Sequence, residues 1–348
     1  MPKSEPQFII PFAKPSGITS FTSLWQVKHT LGTKKVGHTG TLDSFADGLL
    51  VLLSGKLTKL VPYITDFDKT YRVLFYFGKE TDTLDPEGTV IAEKPLPVYA
   101  NFISAIRQLT GTIEQVPPVY SAVKQAGERL SDKIRRGETV TVPPRTVTIY
   151  SIDIEEIFYA PEPDTNRENP EMSAVRKVLG AVLCVRCSKG TYIRSLVRDI
   201  AHRCGSAAYV YALRRTAVGP FTLEQAAGFS ALPPFGNAAT YAVNADSTDT
   251  PSDCADSAAV PHSVPNEAIK QAALPLSEAI ARAMHFQTAV LKEQYYAAFM
   301  NGKPISGHWF TSAQPLSDDG TTAVFYEGRC TGLMTKNGNC FRYEAVFN

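Results

Sequence analysis

The stretch with the densest chemistry runs Gly37-His38-Thr39-Gly40-Thr41-Leu42-Asp43-Ser44-Phe45-Ala46-Asp47-Gly48. It puts an imidazole and two carboxylates in a loop whose glycines open backbone conformations closed to other residues. Asp43 stands between Leu42 and Phe45, a setting that partly excludes water from a carboxylate. Taken alone, such a loop is more often a structural turn than a catalytic site. Three rival motifs fail on spacing. Gly55-Lys56 suggests a phosphate-binding loop, but positions 50 and 57, where Gly and Ser or Thr are needed, are both Leu. Asp82, Asp85 and Glu87 suggest a cation loop, yet their spacing fits no EF-hand, and a polar turn is expected there. Cys184-Val185-Arg186-Cys187 is half of a zinc pattern; it has no second pair and falls in a β-like run where residues three apart face opposite ways. No metal site is expected.

The elements that must position the loop follow from local pattern. Residues 8–12 form an apolar strand, and Ser20 is a suitable N-cap for a helix running to Leu31 and stopped by Gly32. After the loop, residues 49–53 are a continuous apolar run, expected as a buried strand, with a short helix through Lys59 and Val61 behind it. Residues 69–78 alternate, placing Tyr71, Val73, Phe75 and Phe77 on one face of a strand. A helix is expected over 98–109, and strands over 146–158, 178–187 and 208–213. Ile193, Leu196, Val197 and Ile200 make the apolar stripe of a further helix, with Tyr192 and Arg194 in its first turn. Beyond 273, helices are expected over 274–285 and 293–301, and strands over 323–328 and 340–347.

The chain has 348 residues, enough for about two domains with their own cores. No apolar run reaches the roughly 18–20 residues that cross a bilayer, and the first six residues lack the apolar core of a signal peptide. Six cysteines show no disulfide framework. A cytoplasmic protein with no membrane partner is expected. The net charge of +1 hides an asymmetry: residues 1–215 carry 28 basic and 22 acidic groups, residues 216–269 no basic and six acidic, and residues 270–348 seven and six. The basic excess of the first part suits a polyanion. The Ala-, Pro-, Ser-, Thr- and Asp-rich stretch that follows has few large apolar residues, so residues 231–273 are read as a flexible acidic linker. It separates a domain of residues 1–230 from a small, mostly β domain of residues 274–348. A second polar insert, residues 159–177, is expected to be an exposed loop.

Six ordered blocks then carry a resemblance. They are Lys14-Pro15-Ser16-Gly17-Ile18-Thr19-Ser20, Gly37-His38-Thr39-Gly40-Thr41-Leu42-Asp43, Lys69-Thr70-Tyr71-Arg72, Pro117-Pro118-Val119-Tyr120-Ser121-Ala122, Cys187-Ser188-Lys189-Gly190-Thr191-Tyr192-Ile193-Arg194 and Leu213-Arg214-Arg215. Together they cover about residues 8–225 and resemble the TruB family of bacterial tRNA pseudouridine synthases, which convert uridine 55 of the T-loop. The chain departs from the family pattern at Ser44, where Pro is common, at Asp47, where Thr or a similar residue is common, and at Ala13, where Asp or Asn is favoured.

The resemblance implies an α+β fold: a catalytic domain on a mixed, largely antiparallel sheet, and a small, mostly β PUA-like RNA-binding domain at the C-terminus. The expected strands agree, coming without regular βαβ alternation. It implies a cofactor-free isomerisation of uridine in which the base is flipped out, the C1′–N1 bond breaks and C1′ rejoins C5. Asp43 matches the family's catalytic carboxylate, and Arg194 the cation that keeps it charged in a partly buried site. Tyr71 matches the tyrosine stacked on the target base and placed to help take the C5 proton. Tyr192 and Leu213 match further walls of the base pocket, and His38 the histidine that enters the RNA loop. Lys34, Lys35, Lys59, Arg135, Arg136, Arg214 and Arg215 are then expected as contacts to the RNA backbone. A monomer acting on the tRNA T-arm with no obligatory protein partner is expected. The alternative is a tRNA-binding or tRNA-folding chaperone whose catalysis is secondary or lost. A relative that works through a small guide RNA is a further reading, but the terminal segments typical of such relatives are not visible here.

Overall fold

The apolar run at Leu49 lies between the two largest apolar cores of the fold. In the computed structural model, which describes residues 5–120, 124–125, 128–129, 136, 142–161, 175–236, 263–312, 315–318 and 320–347, strand Asp47–Ser54 is buried along its whole length. Leu50 and Leu52 enter one apolar core while Leu49, Val51 and Leu53 enter another. A strand covered on both faces has no reason to alternate, which is why this one reads as an unbroken apolar run.

We number the strands of the first part of the chain β1 (Ile9–Lys14), β2 (Val36–His38), β3 (Asp47–Ser54), β4 (Lys69–Phe77), β5 (Lys79–Thr81), β6 (Val90–Glu93), β7 (Gly111–Gln115), β8 (Lys124–Gln125), β9 (Glu128–Arg129), β10 (Arg145–Tyr159), β11 (Val178–Cys187), β12 (Ala208–Val218) and β13 (Phe221–Thr222). The main sheet runs β1-β3-β12-β4-β11-β10-β7, with β2 on β3 and β13 on β12. Its pairs are antiparallel except β3 with β12, which meet in parallel at Asp47–Arg214 and Gly48–Arg215. Gly48 is needed at that junction. Its φ is +106°, and a Cβ there would fall on the Arg215 backbone.

Helices α1 (Ser20–Leu31), α2 (Val61–Thr65), α3 (Tyr99–Gln108) and α4 (Ile193–Arg203) flank the sheet. Helix α1 ends at Gly32 in the left-handed conformation, as its sequence predicts. The expected N-cap is displaced by one residue. Thr19 Oγ1 accepts the Thr22 N–H at 3.1 Å, while Ser20 turns inward toward the loop. Val73, Phe75 and Phe77 of β4 share a core with Tyr71 packed against it, so the alternation expected there is observed.

The C-terminal part carries β14 (Gln287–Leu291), β15 (Phe310–Thr311), β16 (Thr321–Tyr326), β17 (Arg329–Asn337) and β18 (Cys340–Val346), in the order β15-β14-β16-β17-β18. Strand β17 is not foreseen in the sequence. It turns back from β16 at Glu327 and Gly328, both of positive φ. The helix expected over residues 274–285 is confined to α6 (Glu278–Ala283), and that over 293–301 is a 3-10 turn followed by α7 (Tyr296–Met300).

The expected linker is also corrected at both ends. Residues 263–273 contain helix α5 (Asn266–Gln271), whose Ile269 is fully buried in the same apolar core as Leu50 and Leu52. Ile9 and Leu274 then exchange two 2.8 Å backbone hydrogen bonds, so the chain closes on the edge of β1 before entering the second sheet. At the other end Pro233 and Phe235 pack over Arg214. Residues 237–262, and residues 162–174 of the expected exposed loop, lie outside the described residues. The two sheets share one apolar core, in which Leu49, Val51 and Leu57 meet Leu276, Met284, Phe325 and Phe347.

Candidate active site

The glycine-rich loop is held by contacts that each point back to a motif residue. Thr39 N–H donates to the Val51 carbonyl at 3.1 Å, and Gly17 N–H to the Ser44 carbonyl at 2.8 Å. Ser20 Oγ accepts the Leu42 N–H at 2.9 Å and donates to the Leu42 carbonyl at 3.1 Å, clamping the residue before Asp43. Beneath the loop, fully buried Lys14 donates through Nζ to the carbonyls of Pro15, Ile18 and Ser44. Burial pulls its ammonium down to about 8, against the opposing pull of Asp47 and Asp43. The Lys-Pro-Ser-Gly block is therefore the foundation of the loop.

Asp43 is partly exposed and faces Arg194, whose Nε lies 3.0 Å from Asp43 Oδ2. Arg194 is only 4 % exposed. Its remaining nitrogens are committed: Nη1 to Asp85 Oδ2 at 2.9 Å and to the Thr83 carbonyl at 2.7 Å, Nη2 to the Tyr120 carbonyl at 3.1 Å. The Nε–H is not aligned on any acceptor among the described residues. One guanidinium thus bridges two carboxylates, fixed by carbonyls from two loops. Gln115 places Tyr192, two residues before Arg194, since its buried side-chain amide accepts the Tyr192 N–H at 2.8 Å and donates to the Tyr192 carbonyl at 3.1 Å.

Asp85 is the residue the sequence did not disclose. It sits in the turn read there as merely polar, buried to 4 % exposure, beside Leu84 at a φ of +62°. Burial raises its carboxyl pKa, while the Thr83 hydroxyl and Arg194 pull it back. The same turn supplies Glu87, which accepts the Ser44 hydroxyl at 3.0 Å. Ser44 thereby ties the Asp43 loop to the Asp85 turn. The one signal available in the sequence was the density of carboxylates in residues 82–87.

Tyr71 stands on β4 across from Val185 of β11 and Arg215 of β12. It is half-buried, and burial raises its phenol pKa, an effect that Arg215, in side-chain hydrogen-bond contact, opposes. Leu213 is buried two residues before Arg215, and Tyr192 precedes α4. His38 ends β2; its Nδ1 accepts the Gly40 N–H at 3.3 Å, so the neutral ring carries its proton on Nε2. Burial, then Arg215, lowers its pKa, which keeps it neutral at pH 7.

The expected backbone contacts divide. Lys34, Lys35 and Lys59 are exposed, and the Lys35 carbonyl accepts the Gly55 N–H at 2.9 Å, bringing both lysine-bearing segments together. Arg136 is exposed, and Arg135 lies outside the described residues. Arg214 and Arg215 differ from the expectation. Arg214 makes a bidentate pair with Asp47 at 2.7 and 2.6 Å, and Arg215 donates to the Leu49 and Gly40 carbonyls at 2.8 and 3.1 Å. Both are buried because the β3–β12 junction passes directly over them, so they hold the loop from inside.

This pair accounts for Asp47, one of the three residues that depart from the family pattern. It is 8 % exposed and neutralises a guanidinium that has no other carboxylate partner among the described residues. Asp47→Ala is expected to cost about 3–5 kcal/mol in denaturant unfolding, since it strands a buried charge. Adding Arg214→Met should restore more than half of that. A loss below about 1 kcal/mol, the range of exposed pairs, would show that water reaches Arg214.

The described residues contain no cluster of three or more metal-ligating side chains, and no helix among them is long and apolar enough to cross a membrane. The family model for the N-terminal domain of TruB family pseudouridylate synthases matches residues 28–193. A protein from Treponema pallidum subsp. pallidum named tRNA pseudouridine synthase B is 42 % identical over 99 % of this chain and 98 % of its own length. The protein of the same name from Treponema denticola is 42 % identical over 97 % of each chain. A crystal structure of a Cbf5-Nop10-Gar1 complex matches the fold with a TM-score of 0.60 and 22 % identity, over 98 % of this chain and 85 % of that one. With 42 % identity along nearly the whole length of enzymes of that name, and with an aspartate loop paired to a buried arginine, the chain belongs to the TruB family of pseudouridylate synthases and is an isomerase.

Proposed function

We propose that this chain converts uridine 55 in the T-loop of tRNA to pseudouridine. The tRNA substrate rests on the relatives' shared name and on family membership. The observation that carries the site is the Asp43–Arg194–Asp85 bridge, a partly exposed carboxylate backed by a buried cation and a second, buried carboxylate. Isomerisation requires the C1′–N1 bond to break, the uracil to turn within the pocket, and a C1′–C5 bond to form; the proton on C5 is lost and N1 gains one, so the balance is neutral. Asp43 is the group that acts on the nucleotide, and Arg194 fixes its direction. Tyr71 covers the base and, with its phenol held protonated by burial, directs a polar group at the site of proton removal. Leu213 and Tyr192 bound the turning base. His38, neutral and with Nε2–H free of the loop contact, enters the RNA loop vacated by the flipped nucleotide, at an unstacking cost of a few kcal/mol. Lys34, Lys35 and Lys59 meet phosphates at the rim.

The test is tritium release from tRNA transcripts labelled at C5 of uridine. One tritium per tRNA is expected, and none when position 55 is changed to cytidine. Undiminished release from the position-55 variant would overturn the assigned target; no release from any tRNA would overturn the substrate.

A further inference from the structure

Helix α1 buries Ser20, Ser23, Leu24 and Val27 and turns Phe21, Trp25, Lys28 and His29 outward, the spacing of one helical face. Phe21 is 72 % and Trp25 68 % exposed. The indole lies flat against the His29 ring, with centroids 5.6 Å apart and planes within 4°, and Lys28 Nζ stands 5.9 Å from the centre of the Phe21 ring. Two large aromatics bared side by side on one helix mark a contact surface. Its position is fixed by Ser20, whose hydroxyl holds both the N–H and the carbonyl of Leu42, one residue before Asp43. The first turn of the helix is therefore tied to the Asp43 loop, and the helix runs on for 12 residues, about 18 Å.

Charge selects the occupant. No acidic residue lies between Glu5 and Asp43, while exposed Lys34 and Lys35 continue the track beyond Gly32. The acids on adjoining elements are already engaged: Glu5 accepts the Thr33 hydroxyl, Glu87 the Ser44 hydroxyl, and Glu267 pairs with Lys270. Aromatic faces beside cations that no acidic side chain among the described residues pairs with fit a polyanion whose units have flat, stackable surfaces, which is RNA with unpaired bases. We propose that Phe21 and Trp25 are a stacking platform for unpaired bases of the same RNA molecule that carries the target uridine. The inference rests on the RNA reading above and extends it to a surface outside the Asp43 pocket.

The experiment compares wild type, Trp25→Phe, the double variant Phe21→Ala/Trp25→Ala and the control Phe21→Tyr/Trp25→Tyr on full-length tRNA. The chain has two tryptophans, so the Trp25 signal is wild-type emission minus that of Trp25→Phe. That difference signal should be quenched by saturating tRNA. The alanine pair should weaken tRNA binding and raise KM about tenfold or more, with kcat at saturation unchanged, and the tyrosine pair should keep most of the affinity. Unchanged affinity in the alanine pair, or a Trp25 signal indifferent to bound tRNA, would overturn the proposal. So would a wild-type dimer in sedimentation that the alanine pair dissolves, which would assign the face to a second copy. Failure of the wild type to bind tRNA at all would instead count against the RNA reading. Melting temperatures of all variants should agree, because both side chains point into solvent.

Discussion

Asp43→Asn is expected to abolish pseudouridine formation, to the detection limit of tritium release, while tRNA affinity stays within about threefold of wild type. Asparagine keeps the shape of the side chain and its place 3.0 Å from Arg194 Nε, but it cannot serve as a carboxylate nucleophile or base. The loop itself should survive, because its supports lie elsewhere: Ser20 on Leu42, Gly17 and Lys14 on the Ser44 carbonyl, Thr39 on Val51. Binding should survive because the cations at the rim and the neutral His38 are untouched. Measured turnover above about a thousandth of wild type would remove Asp43 from the reacting centre. Loss of binding together with turnover would mean that Asp43 shapes the loop more than it reacts.

Replacing Arg194 by lysine is expected to lower kcat at least about a hundredfold, although the charge is kept. The guanidinium meets two carboxylates and two carbonyls at once, with Asp43 and Asp85 on different nitrogens. A single ammonium has neither the reach nor the planar spread to hold all four, and a displacement of about 1 Å at a reacting group costs on the order of a hundredfold. The companion measurement is the acid limb of the pH–kcat profile. Because burial raises the Asp85 carboxyl pKa, protonation sets in at a higher pH than for an exposed aspartate. Arg194 then loses one of its two counter-charges, and the site relaxes. In Asp85→Asn that limb should move to lower pH or vanish, with activity reduced throughout. An unchanged limb in Asp85→Asn would assign it to another group, and full activity in Arg194→Lys would reduce the guanidinium to a counter-charge.

The sequence by itself determined the local elements and the chemical inventory. The unbroken apolar run at Leu49 announced a strand covered on both faces, the alternation from Tyr71 to Phe77 gave one face of β4, and Gly32 stopped α1 where the pattern ends. These are short-range consequences of side-chain period and backbone freedom, legible within a window of a few residues. The order of six motifs gave the family, and with it Asp43, Tyr71 and Arg194 as the candidates. Only the tertiary structure decided which charges meet. Arg194 and Asp85 are separated by 109 positions and Arg214 and Asp47 by 167, distances over which no local pattern carries information. Two arginines expected to face RNA were buried instead because the parallel β3–β12 contact passes over them. Two carboxylates, one read as part of a turn and one as an oddity, became the partners of Arg194 and Arg214. Burial is a property of the assembled sheet. It converts an acidic turn into half of an ion bridge, and it leaves Phe21 and Trp25, apolar in the sequence, standing in solvent on the one face of α1 that nothing in the described chain covers.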